Sequence, residues 1–417
     1  MRPPTVIFQI TAIGRNHRAL AESARSVLYW TRHTARQGFV PKLWLVVEPE
    51  GYASAPATYE ALRTEGARLL VVPSTYQTPL RTRGKARALE YACSIRRGEG
   101  LSDPSYWVYH QDEETCVGED TVAGIAEFVR GPKLVGVGII VYPIDWSGSP
   151  SHIQELTRSY DDFRVLDSMT MPGNPSAGFH GSHILARADV EDAVGWDTRG
   201  YSPAEDLTFE IRVRSRFGSV FGVLKGFAYE KGAFSLRDQL TQRRRWMHGV
   251  LFAVRRSPEL PRSRRLSLAY SALSWFSALP SIAVLVASVF LHYGPILFVT
   301  GLFTGFVWVS MVTAYVEGYR LHAPYLSRRV SWARLVLLGL VGAFVDALAP
   351  WYALLTRPST GDFIAKDHPV PAPTHRVPSG GGPFARPRLV HGATDGGPAE
   401  GADADRPSPG IRAPRDH

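Results

Sequence analysis

The first 230 residues predict an α/β fold whose mostly parallel sheet is covered by helices on both faces. Short β-rich runs alternate with helical stretches. Acidic residues fall just behind two of those runs, where open α/β sheets bind their ligands. A 45% hydrophobic composition over 417 residues is enough for a large core plus extra segments.

The strand-like runs are residues 6–10, 43–47, 69–72, 106–109 and 135–141, and the helical stretches between them are 19–30, 57–65, 85–95 and 121–129. The start, Met1-Arg2-Pro3-Pro4, leads directly into the first run without an apolar core of signal-peptide length. The amino-terminal part is therefore expected in the cytosol. No repeat at solenoid periods is evident. Cys93 and Cys116 are too few for a disulfide scaffold or thiolate metal site and read as small buried hydrophobes.

Composition shifts after residue 265. Runs 268–291 and 296–316 contain no Lys, Arg, Asp or Glu and are long enough to cross a bilayer, although a pair of buried helices in a large soluble core passes the same length test. Pro280 is tolerable inside such a helix. The connecting His292-Tyr293-Gly294-Pro295 lacks cations while both outer flanks are Arg-rich, which predicts an external link and cytosolic flanks. A third apolar stretch, 335–355, carries Asp346 and Pro350 and fits a span, an interfacial segment or a re-entrant one. The composition beyond 356 is rich in Pro, Gly, Asp and Arg and reads as a largely disordered tail. The net charge of +9 is concentrated in Arg clusters beside apolar segments, pointing to anionic lipid or phosphorylated substrates. No nucleic-acid-binding pattern is present.

The acids carry the chemistry. Asp112-Glu113-Glu114 follows the run ending at Tyr109. If side chains alternate, Asp112 and Glu114 point one way, offering oxygen ligands to a hard divalent cation such as Mg2+ or Mn2+, while Glu113 points elsewhere and is replaceable. A solvated acidic turn opening the next helix is the plainer alternative. Glu48, behind run 43–47, suits a hydrogen bond from a base or ribose, or is an exposed loop acid. Lys85 and Arg87 put cations in a first helical turn, where a phosphate or plain solvation would offset the macrodipole. Before Leu207, Ser202 is expected to cap a helix with Glu205 as its capping-box partner and Pro203 as first residue, leaving Asp206 free to take a proton. Ser235 and Asp238 predict a second capping box. The helix it opens has an apolar stripe of Leu236, Leu240, Met247, Leu251 and Val254, with Gln242, Arg245 and Trp246 opposite. An interfacial helix anchored by Arg and Trp accounts for the cations as well.

In order along the chain, these motifs resemble those of family 2 glycosyltransferases, most closely the egghead-type β-1,4-mannosyltransferases. The matching segments are Lys85 to Leu89, His110 to Thr115, Ala204-Glu205-Asp206, Tyr229-Glu230-Lys231 and Gln242 to Trp246, across residues 5–366. The resemblance implies a nucleotide-sugar-binding, GT-A-like fold. It places Glu48, Lys85, Asp112 and Arg245 at the donor nucleotide, Asp112 and Glu114 on the metal, and Asp206 as general base. It further places Glu205, Gln242 and Trp246 at the pyrophosphate or acceptor. Family members transfer a sugar with inversion from a nucleoside-diphosphate donor, with GDP-mannose the candidate here and a lipid-linked or other saccharide as acceptor. Glu114, where much of the wider family has Asp, matches the egghead-like branch. Phe363-Ile364-Ala365-Lys366 resembles the gating loop of the processive synthases, and a cytosolic position for it requires an even number of crossings.

The expected organisation is a cytosolic transferase domain over 1–234, an amphipathic helix and basic linker over 235–265, a multi-pass cell-membrane region over 266–356, and the tail over 357–417. A processive polysaccharide synthase and a non-catalytic membrane scaffold of the same fold are the alternatives.

Overall fold

The computed structural model describes residues 3–34, 38–170, 180–256, 262–291 and 294–356. In chain order its first half is β1 (Thr5–Ala12), α1 (His17–His33), β2 (Val40–Val47), α2 (Pro49–Ser54), α3 (Pro56–Thr64), β3 (Arg68–Val71), α4 (Lys85–Gly98) and β4 (Tyr106–Asp112). These four strands lie in the order β3-β2-β1-β4, all parallel. Helices returning over the sheet are what make that order reachable. Val6, Phe8 and Ile10 of β1 pack in one apolar cluster, and Ile7 packs in another on the opposite face. That two-sided burial is why the runs read as apolar throughout.

Next come β5 (Thr115–Val117), α5 (Glu119–Phe128), β6 (Val135–Ile144), α6 (Pro150–Thr170), β7 (Ile184–Arg187), α7 (Ala188–Val194), α8 (Glu205–Phe217) and β8 (Phe221–Lys231). They extend the sheet as β7-β6-β8-β5, with β7 antiparallel to β4 and β6, β5 antiparallel to β8, and β6 parallel to β8. Every expected strand and helix is present, and the expected mostly parallel sheet gains an antiparallel insertion in its second half.

The last elements are the helices α9 (Leu236–Arg256), α10 (Arg262–Leu291), α11 (Gly294–His322) and α12 (Trp332–Leu355). Two of the described helical segments, Phe298–His322 and Trp332–Leu355, are long and apolar enough to cross a membrane. The expected span 268–291 lies within helix α10, and the tail with Phe363 to Lys366 lies outside the described residues. Phe298, Phe306 and Val309 on α11 and Leu337, Phe344 and Leu354 on α12 are exposed.

The inner sides of α11 and α12 rest on α6. A methyl group at Gly318 of α11 would lie 2.2 Å from the Leu156 carbonyl oxygen, so only glycine allows this close helix contact. On α12, the Asp346 carboxylate accepts hydrogen bonds from Gln154 of α6 and from two α9 side chains, Gln239 at 2.7 Å and Arg243 at 3.2 Å. A charge in an apolar helix is thereby supplied with three donors. Asp346→Ala strips a shared acceptor from buried Gln154 and Gln239 and part-buried Arg243 and should cost about 1–3 kcal/mol. A lowered thermal midpoint in detergent, with earlier proteolysis between α11 and α12, is the expected reading.

Candidate active site

Three carboxylates meet at the carboxyl edge of the sheet. Asp112 closes β4, Glu114 lies in the turn beyond it, and Glu230 stands opposite Thr115 in the β5–β8 pairing. One oxygen from each lies within 4.8 Å of the others. An all-oxygen set of this spacing fits a hard divalent ion. Asp112 and Glu114 share a side, as alternation predicts, and Glu113 turns away. Glu113 is not a solvated acid, however: it is 3% exposed and accepts a hydrogen bond from Asn16 at 2.8 Å. Burial, with Glu114 beside it, pushes its carboxyl up to about 8. The expectation that it is replaceable therefore meets a buried, bonded side chain.

Lys85 joins Asp112 to the acids at the start of α8. Its ammonium contacts Asp112, donates to the Gly181 carbonyl at 2.8 Å and sits 3.6 Å from Glu205. Burial opposes its charge, but Asp112 and Glu205 outweigh burial and hold Lys85 above its usual value. The anions answering this first-turn cation are thus protein carboxylates. A methyl group on Gly181 would lie 2.8 Å from the Lys85 nitrogen, 3.5 Å from an Asp112 oxygen and 3.6 Å from an Asp206 oxygen, so the three side chains converge around that glycine.

The turn before α8 differs from its sequence reading. The helix begins at Glu205 behind Ala204, with no side-chain cap, and the buried Ser202 hydroxyl has no hydrogen-bond partner among the described residues. The capping box is absent because Glu205 faces Lys85, a long-range partner that outcompetes the local one. Asp206 accepts a hydrogen bond from the Leu207 amide at 2.9 Å. Burial and the adjacent Glu205 push its carboxyl up to about 7 against the pull of Lys85. A carboxylate held there is matched to proton transfer near neutrality. Asp206, Glu205, Lys85, His110 and Trp196 line one small cleft. Beneath it His110, Trp196 and Arg96 converge on the fully buried Glu191, at 3.2, 2.7 and 2.9 Å.

Glu48 follows β2, two strands from Asp112, which places the two acids about 10 Å apart along the edge. It pairs with Arg87, whose guanidinium also donates to the carbonyls of Pro73 at 2.7 Å and Tyr76 at 3.2 Å. Burial raises the Glu48 pKa against the opposing Arg87 charge, and its second oxygen is buried without a hydrogen-bond partner.

Just before α9, the Ser235 hydroxyl accepts a hydrogen bond from the Asp238 amide at 3.1 Å, the capping bond the sequence predicts, and itself donates to the Asp238 carboxylate at 2.7 Å. The polar face does not turn outward: Gln239 and Gln242 are buried with Met247, while Leu236 and Leu240 are only half-buried. The Asp346, Glu155 and Arg158 groups gathered against this face draw it inward. Trp246 receives the guanidinium carbons of Arg243 and Arg158 at 4.2 and 4.7 Å from its ring centre. Arg245 is half-buried on the same helix.

Glu230, Gly181 and Trp196 are not among the site residues that the sequence offers, and Arg87, a candidate partner of a phosphate there, pairs with Glu48 instead. The Tyr229-Glu230-Lys231 segment held the signal for the first, but only strand pairing brings it beside Glu114. Glu230→Gln should weaken the Mn2+ affinity of the purified protein about tenfold while leaving its thermal midpoint near wild type. Gly181→Ala should displace Lys85, visible as a lower thermal midpoint that Lys85→Ala removes in the double variant.

Residues 107–351 match the family described as Glycosyl transferase family group 2, well over half of the chain. The β-1,4-mannosyltransferase egh of Drosophila melanogaster is 34% identical over 217 residues, covering 50% of this chain and 46% of that protein. The β-1,4-mannosyltransferase bre-3 of Caenorhabditis elegans is 32% identical over 218 residues, with the same coverages of 50% and 46%. The chain thus spans about half the length of the curated relatives it matches. Solved structures with similarity include a Pyrobaculum calidifontis mannosyltransferase in complex with GDP-Man and Mn2+ (TM-score 0.46, 13% identity, 84% of this chain and 88% of that one). Residues 1–349 of S. aureus TarS in complex with UDP give a TM-score of 0.38 at 12% identity, over 84% of this chain and 91% of that one. With Asp112, Glu114, Asp206, Glu230 and Trp246 all inside the matched region, this chain belongs to the group 2 family of glycosyl transferases.

Proposed function

We propose that the protein is a membrane-bound, metal-dependent, inverting hexosyltransferase that moves mannose from GDP-mannose to a lipid-linked or other saccharide acceptor. The observation that carries this reading is the convergence of Asp206, Lys85 and the Asp112–Glu114–Glu230 group on one sheet edge. The relatives named as β-1,4-mannosyltransferases support the sugar. The Arg-rich flanks and the exposed apolar sides of α11 and α12 support a multi-pass membrane region with the catalytic domain in the cytosol.

Asp112, Glu114 and Glu230 would hold Mg2+ or Mn2+, which supplies charge neutralisation for a diphosphate leaving group. Glu48, with its unpartnered buried oxygen, takes the nucleoside, about 10 Å along the edge. Asp206 removes the proton from the acceptor hydroxyl as that oxygen attacks the anomeric carbon from the face opposite the diphosphate, inverting it. Lys85 favours the ionised form of Asp112 against burial and holds it in place, while Gln242, Arg245 and Trp246 flank the diphosphate and acceptor.

Because the base must be ionised and its carboxyl lies near 7, turnover should fall about tenfold per unit below pH 7 and level off above it. Asp206→Asn should lower kcat by at least about a hundredfold with nucleoside-diphosphate affinity unchanged; equal turnover would remove Asp206 as base. The decisive assay is a donor screen with detergent-purified protein, Mn2+ or Mg2+, a nucleotide-sugar panel and membrane lipid extract, following nucleoside-diphosphate release. Release from GDP-mannose alone is expected, and no release from any donor would favour a non-catalytic scaffold.

A further inference from the structure

Two guanidinium groups lie against the Trp246 indole, and their surroundings differ. Arg243 is neutralised: its Nε is 3.2 Å from Asp346 and an Nη is 3.6 Å from Glu155. Arg158, from α6, has Glu155 at 3.9 Å, beyond hydrogen-bond distance, and feels the charges of Glu230 and Asp162 only at longer range. Among the described residues it makes no side-chain hydrogen bond. The Arg158 side chain is 14% exposed, and its guanidinium is held between the rings of Trp246 at 4.7 Å and Tyr142 at 5.4 Å. An arginine has five N–H donors in a planar fork, and leaving them unmet in a mostly buried position is costly.

The rings that hold this fork also locate it. Tyr142 lies in β6 between the pairs Val141↔Tyr229 and Ile144↔Lys231, so it stands beside Glu230 of the carboxylate group. Trp246 belongs to the Gln242-Arg243-Arg244-Arg245-Trp246 segment. One further donor lies nearby: the Tyr142 hydroxyl is buried without a hydrogen-bond partner among the described residues. A stacked guanidinium with open donors beside a divalent-cation site is the chemistry that takes a phosphate oxygen.

We infer that Arg158 is a phosphate-binding residue of the active site, distinct from the arginine that the Q-x-x-R-W pattern supplies. The inference deepens the proposed transferase function and rests on it for the identity of the phosphate. The geometry is shared by two sources, the diphosphate of the donor and a phosphate on a lipid-linked acceptor. Arg243, its charge met by Asp346 with Glu155 close by, acts instead as the strut that holds Trp246 under Arg158.

The test is calorimetric titration of the detergent-purified full chain with inorganic pyrophosphate, GDP and UDP in the presence of Mn2+, with acceptor kinetics alongside. Arg158→Gln should weaken pyrophosphate and nucleoside-diphosphate binding about tenfold or more, with a thermal midpoint close to wild type. Arg158→Lys keeps the charge and should recover part of that loss, which a packing role would not produce. Unchanged pyrophosphate affinity with a raised KM for a phosphate-bearing lipid acceptor, and not for a phosphate-free saccharide, assigns the residue to the acceptor phosphate. Unchanged affinity and unchanged KM in Arg158→Gln overturn the inference. So does a loss of binding that merely parallels a lowered thermal midpoint in both variants. If the wild type binds pyrophosphate but turns over no nucleotide sugar, the transferase reading fails while the phosphate site stands. If it binds neither pyrophosphate nor any nucleoside diphosphate, both fall.

Discussion

Lys85 is the cation on which the arrangement of this site depends. Asp112, Glu205 and Asp206 are brought within its electrostatic reach by three elements that are far apart in sequence, β4, the start of α8 and the start of α4 itself. Like charges this close repel strongly where water is scarce. One ammonium placed among them draws the Asp112 carboxyl down against the burial that raises it, while Asp206 is left with a carboxyl near 7. The same balance explains why Glu205 abandons its local capping role. A partial balance remains, since Glu114 and Glu230 lie beyond the Lys85 contacts, and a divalent ion bound there would stabilise the fold by the same charge relation that it serves in the reaction.

The second constraint is α6, an inserted helix whose polar side chains are buried. Ser151, His152, Gln154, Glu155 and Ser159 are each 5% exposed or less, a composition that suits no apolar stripe. The helix is tolerable because it lies between two partners that supply hydrogen bonds and charges. The sheet edge is on one side, where Ser159 bonds the Ile140 carbonyl, and the apolar helices are on the other, where Gln154 meets Tyr315 and Asp346. Asp346 is therefore better understood as a tether of α12 to the catalytic unit than as an isolated charge in a hydrophobic segment.

Legibility in the sequence followed the range of the interactions. Runs 6–10, 43–47, 69–72, 106–109 and 135–141 were readable because strands buried on both faces are continuously apolar. β7 and β5 are four and three residues long, too short for a periodicity to show, and β8 carries Lys225, Glu230 and Lys231 in its body. The side-chain alternation that separates Asp112 and Glu114 from Glu113 is a local property and was predictable. Glu230 was not, because its position beside Glu114 comes from pairing across 115 residues of sequence. Ser202 and Glu205 satisfied a local capping pattern, yet a cation 120 positions away decided the outcome. On α9 the apolar stripe was real in sequence, but the buried face includes Gln239 and Gln242, and for Gln239 the Gly342 carbonyl and Asp346 carboxylate of α12 offset the cost of burial.

That inward turn of α9 joins the two halves of the molecule. Gln239 and Arg243, one helical turn apart, reach Asp346 on α12, and Trp246, three residues further, receives Arg243 on its ring. An atomic path thus runs from an apolar helix to the Trp246 indole through side chains in direct contact. Such a connection ties the position of this part of α9 to that of α12. If α12 sits in or on a bilayer, the depth of Trp246 is set with it, and an acceptor held in the same bilayer meets Asp206 without having to leave the membrane surface.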